Sequence, residues 1–267
     1  MCGRSTGHSA NPEMLSGSGK KRRSCEFTPL NEHPDARHGA GECNHQQTLE
    51  RFRAAIGGFK TRFYEERPDT MRKLLEEGQH PSALLIGCSD SRVDPALLMG
   101  AEPGDLFMIR NVANLVPPYR PGAGLDGVGA AIEYAVRDLK VAHVIVLGHA
   151  HCGGIKALLN TVGGQRPARD FIADWVSMAA AACYHYIPDP DRGDAVKPVS
   201  LDSLKDHPYL VERAAIQGSL RNLLSYPWLK AAVDDGALSL HGWWFDLESG
   251  DLWATDPENA LFLPVTE

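Results

Sequence analysis

No stretch of this 267-residue chain stays apolar for long. A membrane-spanning helix needs roughly 18–20 such residues, so none is expected. A basic excess is also missing: 27 Lys and Arg against 34 Asp and Glu leave a net charge of −7. That balance argues against a nucleic-acid partner. Cysteine is sparse, six residues in all, and does not form a disulfide framework in a chain this long. In a reducing compartment, Cys close to His points instead to metal or catalysis. The opening residues, MCGRSTGHSANPEM, lack the basic-then-apolar pattern of a secretory signal, so the expected location is cytoplasmic. What is present is ordinary for a globular protein, 43% apolar and 23% charged, and long enough to bury a full core.

Residues 1–44 stand apart. They are rich in Gly, Ser, Pro, His and Asn, and they hold one basic cluster, Lys20 to Arg23. With few aliphatic residues and no periodicity, this stretch cannot bury enough apolar area to offset the entropy of ordering, and it is expected to be a disordered or loosely attached tail. The domain is expected over 45–267. Leu49, Phe52, Ile56, Phe59 and Phe63 recur by threes and fours, an apolar helical stripe. Pro68 ends that helix, and a short one follows to Glu77, closed by Gly78. Strands are expected at Ser82–Cys88, Asp105–Arg110, Ala142–His149 and Leu238–Asp246, the last with a hairpin partner at Asp251–Thr255. Helices are expected at Leu125–Leu139, Ile155–Leu159, Phe171–Tyr184 and Leu201–Leu224, and a surface loop at Ile187–Pro198. Strands alternating with helices, and strands without polar alternation, imply an α/β fold with a mainly parallel sheet flanked by helices.

Two strand ends carry the chemistry. The first strand runs into Cys88-Ser-Asp90-Ser-Arg92-Val-Asp94-Pro95, and the third into Gly148-His149-Ala-His151-Cys152-Gly153-Gly154. Ligands bind beyond the carboxyl ends of strands in open α/β sheets, so one site could hold both. Cys88, His149 and Cys152 supply two thiolates and an imidazole, a catalytic zinc set with an open fourth position. Gly153 and Gly154 leave room beside the metal, and the helix start that follows favours a thiolate at Cys152. Asp90 and Arg92 can pair in a bidentate manner, which would hold the carboxylate ionised, aimed at a metal-bound water and off the metal itself. A bland reading also exists, with two core cysteines, a core histidine and a turn-stabilising salt bridge. Asp94 before Pro95 reads as a helix N-cap.

With those residues in view, the chain resembles the β-class carbonic anhydrases. CSDSR followed about sixty residues later by GHxxCGG is that family's signature, and the likeness extends from about His45 to the late strand. The resemblance implies the β-carbonic anhydrase fold and one Zn2+ per chain on Cys88, His149 and Cys152. It implies an Asp90–Arg92 dyad, and reversible hydration of CO2 to bicarbonate and a proton by a zinc-bound hydroxide. It further implies a substrate pocket from Gln79, Phe107, Val112 and Tyr134, with Gly153 beside the metal. A homodimer, or a tetramer or larger assembly built from it, would place pocket residues from both chains at one site. Allosteric relatives carry Trp three residues before the first ligand Cys; Leu85 stands there, which points to the plant-type, non-allosteric subgroup. Zinc-bound water has a pKa of about 7 in carbonic anhydrases whose metal sits on three neutral His ligands. Two thiolates neutralise more of the metal's charge, so the water here should be less acidic and activity should rise into alkaline pH.

Other features weigh less. Gly122-Ala-Gly124-Leu-Asp-Gly127 matches a dinucleotide fingerprint, but prolines rather than a strand precede it; tight packing at a helix start is the better reading. Cys2, Cys25, Cys43, His33, His38 and His45, in and next to the tail, fit no zinc module. Cys183 reads as packed in a helix, and Trp243, Trp244 and Phe245 as strand core or subunit contact. His151 is a candidate for proton relay. Two rival functions stand beside CO2 hydration: hydrolysis of COS or CS2 at the same site, and an inactive zinc-stabilised scaffold.

Overall fold

The structure is a computed structural model. It describes residues 45–122, 124–181, 188–189, 193–196, 200–257 and 261–266. The expected tail, Cys183 and Tyr184 lie outside the described residues. Chain contacts divide the molecule into Met1–Gly57 and Gly58–Glu267. In the first unit the described part is most of helix α1 (His45–Lys60), whose Leu49, Phe52 and Ile56 are exposed. A π-helical turn at Thr61–Glu66 then leads to α2 (Pro68–Glu76).

The second unit is built on six strands: β1 (Ala83–Cys88), β2 (Leu106–Asn111), β3 (His143–His149), β6 (Ser239–Phe245), β7 (Leu252–Thr255) and β8 (Phe262–Pro264). Their order in the sheet is β2-β1-β3-β6-β7-β8. The first four are parallel and the last two antiparallel. β1 and β3 are central and covered on both faces, which explains their unbroken apolar runs. Leu84, Ile86, Val144 and Val146 face one core, with Ile132, Ile216 and Leu229 packed against them. Leu85, Ile145 and Leu147 face the other, with Val93 and Trp243.

The remaining helices are α3 (Pro95–Met99), α4 (Gly127–Glu133), α5 (Gly153–Val162), α6 (Ile172–Ser177), α7 (Leu201–Asp206), α8 (Pro208–Leu223) and α9 (Pro227–Asp234). The single helix expected over Leu201–Leu224 is two, because Pro208 excludes helical geometry at His207, whose φ is −126° and ψ 62°. α4 starts at the Asp126 cap, which accepts from the Val128 and Gly129 N–H groups, and runs on as a π-helical turn, Tyr134–Asp138. Among the glycines ahead of it, Gly122 and Gly124 have positive φ and Gly127 does not; a Cβ on any of the three would meet nothing within 4 Å. Backbone freedom, not the tight packing expected, accounts for the first two. In the expected loop at 187–198, β4 (Pro188–Asp189) and β5 (Gly193–Val196) form a short antiparallel pair. β8 has no counterpart among the expected strands; three residues ending in Pro264 give no usable period.

Candidate metal centre

Three elements deliver the ligands. Cys88 is the last residue of β1 and His149 the last of β3, and these strands are direct parallel neighbours. Cys152 is the residue before α5, reached through a tight turn in which His151 takes a left-handed φ of 57°. The two sulfurs are 3.9 Å apart. One ligand atom from each of the three residues lies within 4.8 Å of the others, and this is the one such group of three His, Cys, Asp or Glu side chains among the described residues. All three are buried; Cys88 and Cys152 sit in an apolar cluster with Ala113, Ile155, Leu158, Val176 and Val211.

The imidazole shows what the site is for. His149 Nδ1 donates to the Ala150 carbonyl at 2.8 Å, which leaves Nε2 bare. That atom is buried and has no hydrogen-bond partner. A buried polar atom without a partner costs about 1–3 kcal/mol. A bare imidazole nitrogen facing two sulfurs is the donor set of a thiolate–imidazole metal site, so the residues fit a zinc ion. The Ala150 carbonyl supplies the outer hydrogen bond that fixes the ring's tautomer.

The two sulfurs are within hydrogen-bonding distance of each other. The hydrogen bond from Cys152 holds Cys88 at about 4, against the opposing effect of burial. The same contact pushes Cys152 upward, and burial adds to it. The chain thus stabilises one thiolate by itself, and a divalent cation would favour the second.

Asp90 and Arg92 pair as expected. Arg92 Nε meets Oδ1 at 3.0 Å and Nη2 meets Oδ2 at 2.8 Å, while the Arg92 backbone N–H adds a third bond to Oδ1 at 3.0 Å. These bonds hold the Asp90 carboxyl well below the usual carboxylate range. Its Oδ2 stands 3.9 Å from His149 Nε2. Arg92 also donates to the His151 carbonyl at 3.1 Å, tying the two ligand loops together. Asp94 caps α3 by accepting from Ala96 and Leu97, with Pro95 at the first helical position.

Three further residues shape the site. Arg110 reaches back from β2 and donates to the carbonyls of Cys88, Asp90 and Val93 and to the Asp94 carboxylate. It clamps the whole 88–94 turn. Glu212, on α8 and only 3% exposed, accepts from the Cys152 backbone N–H at 3.0 Å and from Trp244 Nε1 at 3.1 Å. Burial lifts its pKa. Sequence reasoning missed Glu212; a carboxylate flanking the apolar positions Val211, Ala214, Ala215 and Ile216 was the available signal. Gly154 is a close-packing residue, since a Cβ there would lie 2.8 Å from Val112 Cγ1 and from Ala113 Cβ. A Cβ on Gly153 would meet nothing within 4 Å.

The residues expected in the pocket divide. Val112 lies beside the ligand loops, touching the α5 start, and its carbonyl accepts from Trp175 Nε1. Phe107 and Tyr134 pair with each other, ring centroids 5.8 Å apart. But Phe107 aligns with Leu84, four residues along from the Cys88–Asn111 pair, about 13 Å away along the strand. Gln79 is exposed and precedes the opposite end of β1. The single chain does not bring Gln79, Phe107 and Tyr134 to its own Cys88. His151 Nε2 meets Glu248 at 2.6 Å, both side chains exposed.

Comparison with known proteins gives a consistent picture. The sequence profile of the family described as carbonic anhydrase matches residues 83–252. The chain is 35% identical over 219 residues to beta carbonic anhydrase 3 of Arabidopsis thaliana, covering 80% of each protein. Among solved structures it is similar to the β-carbonic anhydrase CcaA, with a TM-score of 0.67 and 34% identity over 83% of this chain and 93% of that one. A structure report on two tetrameric β-carbonic anhydrases of Sordaria macrospora also matches, with a TM-score of 0.58 and 29% identity over 79% of this chain and 96% of that one. No described helix is long and apolar enough to cross a membrane.

Proposed function

The chain belongs to the β-carbonic anhydrase family, enzymes of reversible CO2 hydration that use zinc, and on that footing we propose how its own residues carry the reaction. The observation that supports the reading most directly is the buried, unpartnered Nε2 of His149 facing the sulfurs of Cys88 and Cys152. Zinc bound there supplies a Lewis-acidic centre that makes water acidic enough to yield a hydroxide nucleophile. Asp90, kept ionised and turned by Arg92, would accept a hydrogen bond from a water or hydroxide held beside the three ligands and so orient it toward CO2. The same pair would hold the carboxylate back from a metal on Cys88, His149 and Cys152. Leu85, wholly buried, stands where allosteric relatives have Trp, and we assign the enzyme to the subgroup not inhibited by bicarbonate. Val112 and Gly153 border the position CO2 would occupy.

Gln79, Phe107 and Tyr134 line the pocket of a second copy. Their distance from the chain's own ligands supports a homodimer in which each site is completed by its partner. The exposed Leu49, Phe52 and Ile56 stripe of α1 supplies an apolar face for the association. Larger assemblies would be built from such dimers. Two unbridged cysteines 3.9 Å apart suit a reducing compartment, which supports the reading of a cytoplasmic location. Residues 1–44 are read as a tail outside the catalytic domain.

The test is a metal count joined to a CO2 hydration assay. Wild type is expected to carry about one tightly held zinc per chain and to be active, with the rate rising between about pH 6.5 and 9, the range over which zinc would make water acidic enough to react. Cys88→Ser is expected to lose most of both. An active, zinc-free wild type, or a flat profile over that range, would refute the proposal.

A further inference from the structure

The end of the sheet opposite the ligand loops brings two histidines and a serine together. His143 opens β3 and pairs in register with Ser239, which opens β6; His241 follows two residues later on the same face of β6. His143 Nδ1 lies 2.7 Å from Ser239 Oγ, Ser239 Oγ lies 2.9 Å from His241 Nε2, and the two ring nitrogens are 3.4 Å apart. His143 is exposed and the other two are partly buried, so the cluster opens to solvent.

We infer that His143, His241 and Ser239 form a second site for a divalent transition-metal ion, of the class imidazole prefers: Zn2+, Ni2+ or Cu2+. The separations decide the matter. A tetrahedral zinc with nitrogens at about 2.0–2.1 Å sets neighbouring donor atoms about 3.3–3.4 Å apart. The two ring nitrogens already have that spacing. Ring centroids 5.4 Å apart are also what two imidazoles sharing one such ion would show. The serine oxygen is closer because it now exchanges hydrogen bonds with both rings; it would need to withdraw by about half an ångström. Both histidines are anchored on paired central strands, so little ordering entropy is lost on binding. Burial and the neighbouring His143 push the pKa of His241 down, which keeps its ring neutral and its lone pair available near pH 7.

This site is independent of the catalytic one. His143 and His149 are the two ends of β3, about 20 Å apart at the rise of a strand. Two imidazoles and a neutral hydroxyl bind more weakly than two thiolates and an imidazole, so the ion would exchange while the first stays in place.

The experiment uses the full-length, zinc-loaded enzyme, stripped of loosely held metal by dialysis against a weak chelator. It is titrated calorimetrically with Zn2+ and, separately, with Ni2+. A second, weaker equivalent per chain is expected for each ion. His143→Gln and His241→Ala should each weaken it by about 100-fold or more, since even the loss of an outer-shell partner costs 10–100-fold. Ser239→Ala should weaken it less. CO2 hydration before the titration should be unchanged in all three variants, which shows that they are folded. Absence of a second equivalent in wild type, or one that persists at wild-type affinity in the histidine variants, overturns the inference; persistence would place the ion in the His- and Cys-bearing segment before residue 45. Failure of the catalytic reading would instead appear as loss of the first, tight equivalent.

Discussion

Glu212→Ala tests whether the metal centre is held from behind as well as by its ligands. The wild-type carboxylate is the acceptor for two buried donors, the Cys152 backbone N–H and the Trp244 indole N–H; Trp244 is itself 4% exposed. Removing the acceptor leaves both donors unsatisfied, at about 1–3 kcal/mol each, or about 2–6 kcal/mol together. Part of that returns, because Glu212 is a buried charge whose pKa is lifted by desolvation and alanine removes that burden. A net loss of about 2–3 kcal/mol is expected. For a folded unit of this size it corresponds to a Tm about 4–12 °C lower. The effect should concentrate on Cys152, so zinc should be lost to a competing chelator faster in the variant. Glu212→Gln keeps one acceptor oxygen and should fall between wild type and alanine. Trp244→Phe frees only the indole partner and should affect melting more than zinc retention. The assays are thermal unfolding followed by circular dichroism and zinc release to a chromogenic chelator. An alanine variant that melts within about 2 °C of wild type, well inside the expected shift, and holds zinc equally well would refute the positioning role.

Three further outcomes are expected. Gly154→Ala should lose about 1–3 kcal/mol by overpacking against Val112 and Ala113, whereas Gly153→Ala should stay within about 0.5 kcal/mol of wild type; equal melting of the two would contradict the packing described. Arg92→Lys replaces a two-point grip on Asp90 by a single point and should cut kcat/KM about 10–100-fold with zinc content retained; unchanged kinetics would show that the dyad is structural only. Burial pushes the Tyr226 phenol up to about 12. A raised pKa means that the folded state keeps its proton longer than the unfolded state, so stability falls as pH rises from about 10 toward that value; ultraviolet titration should show one late tyrosine that disappears in Tyr226→Phe, and a profile unaltered by the substitution would refute the assignment.

What is legible in the sequence, and what is not, follows from the range of the interactions. The ligands are legible because each sits at or just past the end of a strand whose apolar run marks it, and because two thiols and an imidazole together are a zinc donor set. Asp90 and Arg92 are legible because they stand two positions apart and a turn brings them together. The boundary at His207 is readable in principle from Pro208. Arg110 and Glu212 are not legible as site residues. Arg110 acts over 16 to 22 positions and Glu212 over 60, and neither type announces a carbonyl clamp or a buried acceptor. The His143–Ser239–His241 cluster is hidden for the same reason: His143 is 96 and 98 residues from the other two in sequence and meets them only because β6 adds to β3 in one register. A slip of a single residue would turn His241 to the opposite face. The register that makes this cluster also aligns His149 with Phe245, so the catalytic ligand and the second site are fixed by the same ladder of backbone hydrogen bonds.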